Sequence, residues 1–260
     1  MTYNNIGKLF FKDYYNDVDF GFVISDDKVV GERNKAKVVG ERNKAKVRTV
    51  NDEIKQSDLI PIDKPVEELC QTLRATILYP GLITGVGLEH NSKGIEGGYN
   101  LGMHFDYTTG MPIVYGSSVK GVLRSYFDEF DVGDINKGKL KNAIFDGKDS
   151  AGNPLPMYKR DIFFDAVITA VNEHVGLRSQ FLVDDSITPH TEGPLKNPLP
   201  IAMLKIAAGC TIEFRFLLRD TEIDGNTFGA DKKLNLFKRI LGTVGVGAKT
   251  NVGYGQLKMK

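Results

Sequence analysis

Two stretches of this chain set cations beside backbone that an anion can reach. The first is G-T-V-G-V-G-A-K-T-N-V-G-Y-G, residues 242–255, where Gly242, Gly245, Gly247, Gly253 and Gly255 surround Lys249, Thr250, Asn251 and Tyr254. Glycine lets N–H groups approach an anion closely and tolerates positive φ, so such a loop suits phosphate. It equally suits packing, because glycines let a last strand pass close beneath a helix. The loop alone does not choose between the two. The second stretch is Gly116-Ser117-Ser118-Val119-Lys120. Its hydroxyls suit a helix N-cap, and the free N–H groups and dipole of such a start favour an anion. Lys120 adds a charge there, and Arg124, one turn on, faces either the same ligand or solvent. A nucleotide-hydrolysing P-loop fits the first stretch poorly. Ala248 separates Gly247 from Lys249, and the loop runs from helix to strand, so no helix start follows it.

Other chemistry has less to build on. The acidic pairs are Asp184-Asp185, Asp161 with Asp165, and Asp128-Glu129. Adjacent carboxylates on a strand point to opposite faces, so none of these makes a ready two-metal site. His90, His104, His174 and His190 are scattered singly, with no Cys/His cluster at zinc spacing. No metal and no cofactor is expected. Tyr254 can stack on a base, although an aromatic at the start of a terminal strand more often joins the core. Cys70 and Cys210 read as reduced core thiols.

The elements that must position these residues follow from periodicity. Ile6, Leu9, Phe10 and Tyr14 lie at helical spacing. Leu73–Tyr79 reads as a strand stopped by Pro80-Gly81, and the chain is loop-like and glycine-rich from there to about Tyr115. Val119, Val122, Leu123, Tyr126, Phe127 and Phe130 trace one face of a helix opening at Gly116. Asp161–Val171 reads as a buried strand, 172–200 as irregular, and Thr211–Leu217 as an alternating strand with Ile212, Phe214 and Phe216 on one face. Leu234, Phe237, Ile240 and Leu241 mark a second helix, and Gln256–Met259 closes a sheet. That order predicts an α+β, ferredoxin-like (RRM-like) β-α-β-β-α-β fold with long inserted loops. The sheet of such a fold offers one face to helices and one to a ligand such as single-stranded RNA.

The chain has 34 Lys+Arg against 33 Asp+Glu, which excludes a globally basic nucleic-acid binder and confines any such site to a local patch. No signal peptide or membrane span is apparent, so a cytoplasmic location is expected. VVGERNKAK at 29–37 recurs unchanged at 38–46, inside a stretch, Lys28–Arg48, whose eight cations meet only Glu32 and Glu41. Polar, basic and interrupted by glycine, this segment reads as a solvated loop lengthened by duplication, or as a basic arm touching RNA or a neighbouring subunit.

Residues 111–124, M-P-I-V-Y-G-S-S-V-K-G-V-L-R, resemble the Gly-Ser-Ser-x-Lys-Gly-x-Leu-Arg signature of the RAMP superfamily, with Tyr115 where a proline is usual. Gly245–Gly255 matches that superfamily's G-x-G-x-K-T-x-x-G-Y-G loop without a break. Phe164-Asp165-Ala166, Asp184–His190 and Asn197–Ile201 are similar to segments of the sixth subunit of the type III-B (Cmr) CRISPR effector. The resemblance covers residues 70–260, the RAMP domain, and leaves 1–69 as an N-terminal extension. It implies a non-catalytic RNA-binding subunit for antiviral defence, capping the assembly near the guide's 3′ end. Its partners would be guide RNA, target RNA and other Cmr subunits, especially the repeated backbone subunit, with no membrane. Ser117, Ser118, Lys120, Arg124, His190, Gly245, Gly247, Lys249, Thr250, Asn251 and Tyr254 would contact RNA. Lys120 and Lys249 are expected to be exposed, and the two elements that carry them to meet at one end of the sheet. Asp106 falls in the loop where related backbone subunits carry a cleaving aspartate, which makes it the residue to test for catalysis. The alternative is a guide-processing or metal-dependent target endoribonuclease of the same superfamily. The guide-processing class uses a histidine near the first helix, and residues 116–130 contain none.

Overall fold

The computed structural model describes residues 5–16, 18, 30–60, 70–88, 90, 92, 95–171, 180–188 and 200–260, with backbone alone for 30–38. Its elements are α1 (Ile6–Phe11), α2 (Val30–Gln56), β1 (Gln71–Ile77), β2 (Ile113–Val114), α3 (Gly116–Tyr126) and α4 (Lys137–Lys141). There follow β3 (Ile162–Phe163), β4 (Ala166–Ala170), β5 (Leu182–Ile187), β6 (Ile201–Ile206), β7 (Thr211–Leu217), β8 (Thr221–Ile223), β9 (Asn226–Phe228), α5 (Ala230–Val244) and β10 (Leu257–Met259). They fall into two compact units. One holds 1–60, 83–112 and 173–206, the other 61–82, 113–172 and 207–260. The units interleave along the chain, whereas the expected division at residue 69 is contiguous.

The second unit is a mixed α+β structure built on an antiparallel sheet, strand order β10-β1-β7-β4-β2, with β3 also paired to β7. The predicted strand over Asp161–Val171 is therefore two strands, broken at Phe164-Asp165. Ile212, Phe214 and Phe216 of β7 are buried, and the ring of Phe216 lies 5.3 Å from that of Phe237 on α5. Phe127, Phe145 and Phe163 extend the same aromatic core. The opposite side of β7 is polar yet also buried. Glu213 is fully buried and accepts from Arg74 Nε (2.6 Å) and Arg215 Nε (2.8 Å). Burial alone would raise this carboxyl, but the two guanidinium hydrogen bonds outweigh it and hold it low. Cys210 is buried and Cys70 half-buried, both as thiols outside any disulfide.

The first unit packs α1, α2, the 83–112 loop and the β5–β6 hairpin. The amphipathic α1 forms as its spacing predicts, capped by Asn5, whose Oδ1 accepts from Lys8 N (2.8 Å), with Ile6, Leu9 and Phe10 buried. The imidazole of His90 lies between the carbonyls of Tyr99 (2.8 Å) and Phe10 (2.9 Å), the structural role expected of a lone histidine. β5 corrects the expectation that 172–200 is wholly irregular. Its adjacent aspartates depress strand propensity, but each finds a partner on its own face: Asp184 with Lys55 (2.6 Å) and Asp185 with Lys205 (2.5 Å).

The duplicated segment is also corrected. It is not a loop: residues 30–46 lie in the 27-residue α2. Its Glu, Arg, Lys and Ala are good helix formers, and among the described side chains of the helix the buried ones lie mostly beyond the repeat. Asn43, Val47, Val50, Asn51 and Ile54 form a buried stripe at i, i+4, i+7, i+8 and i+11. Deleting 29–37 removes nine residues N-terminal to this stripe and leaves the stripe whole. The melting temperature of the deletion variant is therefore expected to stay within about 2 °C of the parent. A drop of more than about 5 °C would show that the first copy is itself packed.

Candidate nucleic-acid interface

The glycine loop joins α5 to β10 and is fixed at both ends by backbone. Val246 N donates to Gly255 O (3.0 Å), Gly255 N donates to Gly81 O (2.8 Å), and Gly245 N caps α5 on Leu241 O (3.0 Å). A Cβ on Gly255 would stand 1.8 Å from Val246 O, and one on Gly245 2.4 Å from Gly255 O; both residues have positive φ, 68° and 73°. These two glycines pack. Between them the tip is different. Gly247 (φ 91°) and Lys249 (φ 59°) take left-handed conformations, and Lys249 leads into a short 3-10 turn, Thr250–Val252. The N–H groups of residues 247–251 meet no acceptor among the described residues, while Val252 N and Gly253 N close the turn onto Lys249 O and Thr250 O. Gly247, Lys249 and Asn251 are exposed; Thr250 is half-buried. Tyr254 is buried, with 9% of its surface exposed. The packing and binding readings therefore divide along one loop.

The start of α3 differs from the serine-capped helix expected. Tyr115 is the N-cap and no side chain of the cap is used. Instead Gly116 N donates to Asp165 Oδ1 (2.7 Å), and Ser118 N to Tyr115 O (2.8 Å). The cause is close packing: a Cβ on Gly116 would lie 2.2 Å from Phe163 O, so the Phe164-Asp165 link presses on the helix start. A carboxylate already occupies the position of strongest dipole. Ser117 is exposed and Ser118 half-buried. Lys120 is half-buried rather than exposed, its Nζ 5.7 Å from the ring centroid of Phe163. Arg124 holds Asp146 through two hydrogen bonds, 2.6 and 3.1 Å. In the sequence Asp165 stands out as one of a carboxylate pair and within the Phe164-Asp165-Ala166 segment, and nothing local to it signals a cap for a helix some fifty residues earlier.

These two elements do not meet at one end of the sheet. The start of α3 sits against Phe163–Asp165, level with Phe216 and Gln71, whereas the glycine loop is anchored past Ile77, which pairs with Leu257. Along β1 that separation is roughly 15–20 Å. The convergence failed because β2, the strand before α3, runs toward the opposite end from β1.

The remaining candidates are accounted for. His190 and residues 189–199 lie outside the described residues, as does His174. Asp106 belongs to the first unit, where its Oδ1 accepts from Thr108 N (3.1 Å) and Oγ1 (2.5 Å) and from Thr109 N (2.7 Å) and Oγ1 (2.9 Å). Burial opposes ionisation there, but these hydrogen bonds outweigh it and hold the carboxyl low. The arrangement is that of a turn. Asp161 pairs with Lys233 (2.6 Å) and Asp128 with Lys141 (2.5 Å). Among the described residues no three His, Cys, Asp or Glu gather as a metal site, and no helix is long and apolar enough to cross a membrane.

An antiparallel sheet packed by helices, its last strand reached through a glycine loop with a cationic tip, defines an α+β protein. The chain belongs to the RAMP superfamily, whose family model matches residues 74–258. Among solved structures it is similar to a type III-B Cmr-beta bound to cognate target RNA, with 20% identity, a TM-score of 0.51, and coverage of 99% of this chain and 86% of the other. It is also similar to Cmr6 from Pyrococcus furiosus, at 19% identity and TM-score 0.37, covering 74% of this chain and 98% of that one. Cmr4 from the same organism aligns at 15% identity and TM-score 0.35, covering 74% and 96%. No curated protein matches the sequence significantly.

Proposed function

We propose that this chain is a non-catalytic RNA-binding subunit of a type III-B (Cmr) CRISPR effector, gripping guide RNA near its 3′ end beside the repeated backbone subunit and helping position target RNA in the cytoplasm. The observation that carries the reading is the tip of the glycine loop. Its ends are fixed by packing, its N–H groups at 247–251 meet no acceptor among the described residues, and Lys249 is exposed, the donor set a phosphate needs. The sheet supports a ferredoxin-like assignment, since β1, β4, β7 and β10 stand in the spatial order 10-1-7-4, which corresponds to fourth-first-third-second in that fold. The family match, starting at residue 74, supports a RAMP domain over 70–260 with 1–69 as its extension. Lys120, behind the Phe163 ring, is the second contact in this reading.

The test is a salt titration of single-stranded RNA affinity for the purified chain and its variants. Each lysine contact adds roughly 0.7 to the slope of log affinity against log salt. Lys249→Ala and Lys120→Ala should each flatten the slope by a little under one unit, without sequence bias, and Gly247→Val should weaken binding more than either. Lys249 is exposed, so Lys249→Ala should not move the melting temperature. In Mg²⁺ or Mn²⁺ the RNA should be recovered uncut. Unchanged slopes in both lysine variants, with folding intact, would reduce the loop to a packing device.

A further inference from the structure

Resting on that reading of the glycine loop, we propose that Tyr79 is a stacking platform for one unpaired base of the bound RNA, a site separate from the phosphate contacts of the loop tip. The residue is placed by the loop itself. On one side Leu78 N donates to Gln256 O (2.9 Å), and on the other Gly81 O accepts from Gly255 N (2.8 Å). A Cβ on Gly253 would rest 3.6 Å from Pro80 Cδ, so the Tyr79–Gly81 corner lies against the loop on both flanks. Yet Tyr79 is 87% exposed, far more than the other residues of this corner require, and no hydrogen bond or ring contact holds it among the described residues. Val252, on the loop's own 3-10 turn, is also exposed, at 64%.

An exposed aromatic beside a cationic loop is the pairing by which single-strand binders hold a base next to its phosphate. Here the ring belongs to the corner that packs against the loop carrying Lys249, and successive phosphates and bases of a single strand alternate between charged and planar partners. A nucleobase is the occupant that fits: every base has a π-face, so stacking on the ring can hold any of the four. The arrangement accounts for an RNA grip without sequence preference, as a guide-binding subunit requires. Tyr254, the aromatic inside the loop motif, is buried and packs instead.

The chain contains no Trp, so Tyr79→Trp creates a single fluorescent reporter at the proposed platform. With unlabelled single-stranded RNA, indole emission from this variant is expected to be quenched in step with binding followed independently by anisotropy of a labelled strand. Tyr107→Trp, at another nearly fully exposed tyrosine, should not be quenched. Tyr79→Ala should weaken binding about tenfold without changing the salt slope, whereas Tyr79→Phe should bind as the parent does. RNA that binds the Tyr79→Trp variant without quenching its indole, or a Tyr79→Ala variant of parental affinity, overturns the platform while leaving the loop reading intact. Equal quenching in the Tyr107→Trp variant also overturns it, by showing that the signal is not local. Absence of any RNA binding by the parent chain removes the loop reading and the platform together.

Discussion

Gly255→Val is expected to be among the most damaging single changes in this chain, costing about 4 kcal/mol and lowering the melting temperature by about 10 °C. Two independent costs meet at this residue. A side chain at φ 68° is strained in its own backbone, by roughly 1–2 kcal/mol before any neighbour is considered. In addition the added Cβ would fall 1.8 Å from Val246 O, and this neighbour is main chain, unable to rotate away. Relief requires parting the Val246–Gly255 hydrogen bond and with it the Gly255–Gly81 bond that ties the loop to the end of β1. Thermal melts by circular dichroism measure the effect. A Gly255→Val protein melting within about 3 °C of the parent would mean that the loop is not closed as described. The contrast with Gly247→Val separates the glycines by role, since Gly247 is exposed at the tip and its replacement should act chiefly on RNA affinity.

Lys233→Met is expected to cost about 3–5 kcal/mol in urea unfolding, as does loss of one partner from other buried ion pairs. Lys233 is fully buried on α5, and its ammonium donates to Asp161 Oδ2 (2.6 Å), Arg219 O (2.6 Å) and Thr221 Oγ1 (2.7 Å). All three of its protons are thus used. Burial pushes the lysine down and the Asp161 carboxyl up, each against the pull of the other's charge. Methionine fills the volume but leaves a buried carboxylate with only Arg219 N (2.7 Å) to answer it. The double variant Asp161→Asn/Lys233→Met keeps an acceptor for that N–H and removes the stranded charge, so it should recover more than half of the loss. If the double variant is no more stable than Lys233→Met, charge is not the cause and packing is.

How much of this was legible in the sequence depended on the range of the interaction. β1, β7, α3 and α5 are legible from apolar periodicity because each carries one apolar face, and the glycine loop is legible as a loop from composition. Lys233 shows where periodicity stops. It lies one turn before Phe237 on the buried face, but a lysine at that position reads as solvent-facing until Asp161, Arg219 and Thr221 are known to surround it. The cap on α3 is hidden for the same reason, since its partner Asp165 lies in the distant link between β3 and β4. The β8–β9 hairpin had a local signal, Asp224-Gly225 with both residues at positive φ, which a search for long apolar segments passes over. Tyr79 was read only as the end of a strand; its exposure is set by a corner whose partners, Gly253, Gly255 and Gln256, come from the far end of the chain.

The tandem repeat has one more property, which concerns its history. A helix turns once in about 3.6 residues, so nine residues make two and a half turns. A position in α2 and its duplicate therefore stand on opposite sides of the helix axis. The second copy carries a constraint at Asn43, which is buried, and helical geometry does not transmit that constraint to Asn34, half a turn out of phase. Helix geometry gives no reason for a position and its duplicate to stay alike, yet the two segments are identical at all nine positions. Their identity thus records a recent copying event rather than a shared structural need, and substitutions in close relatives should accumulate in one copy sooner than in the other.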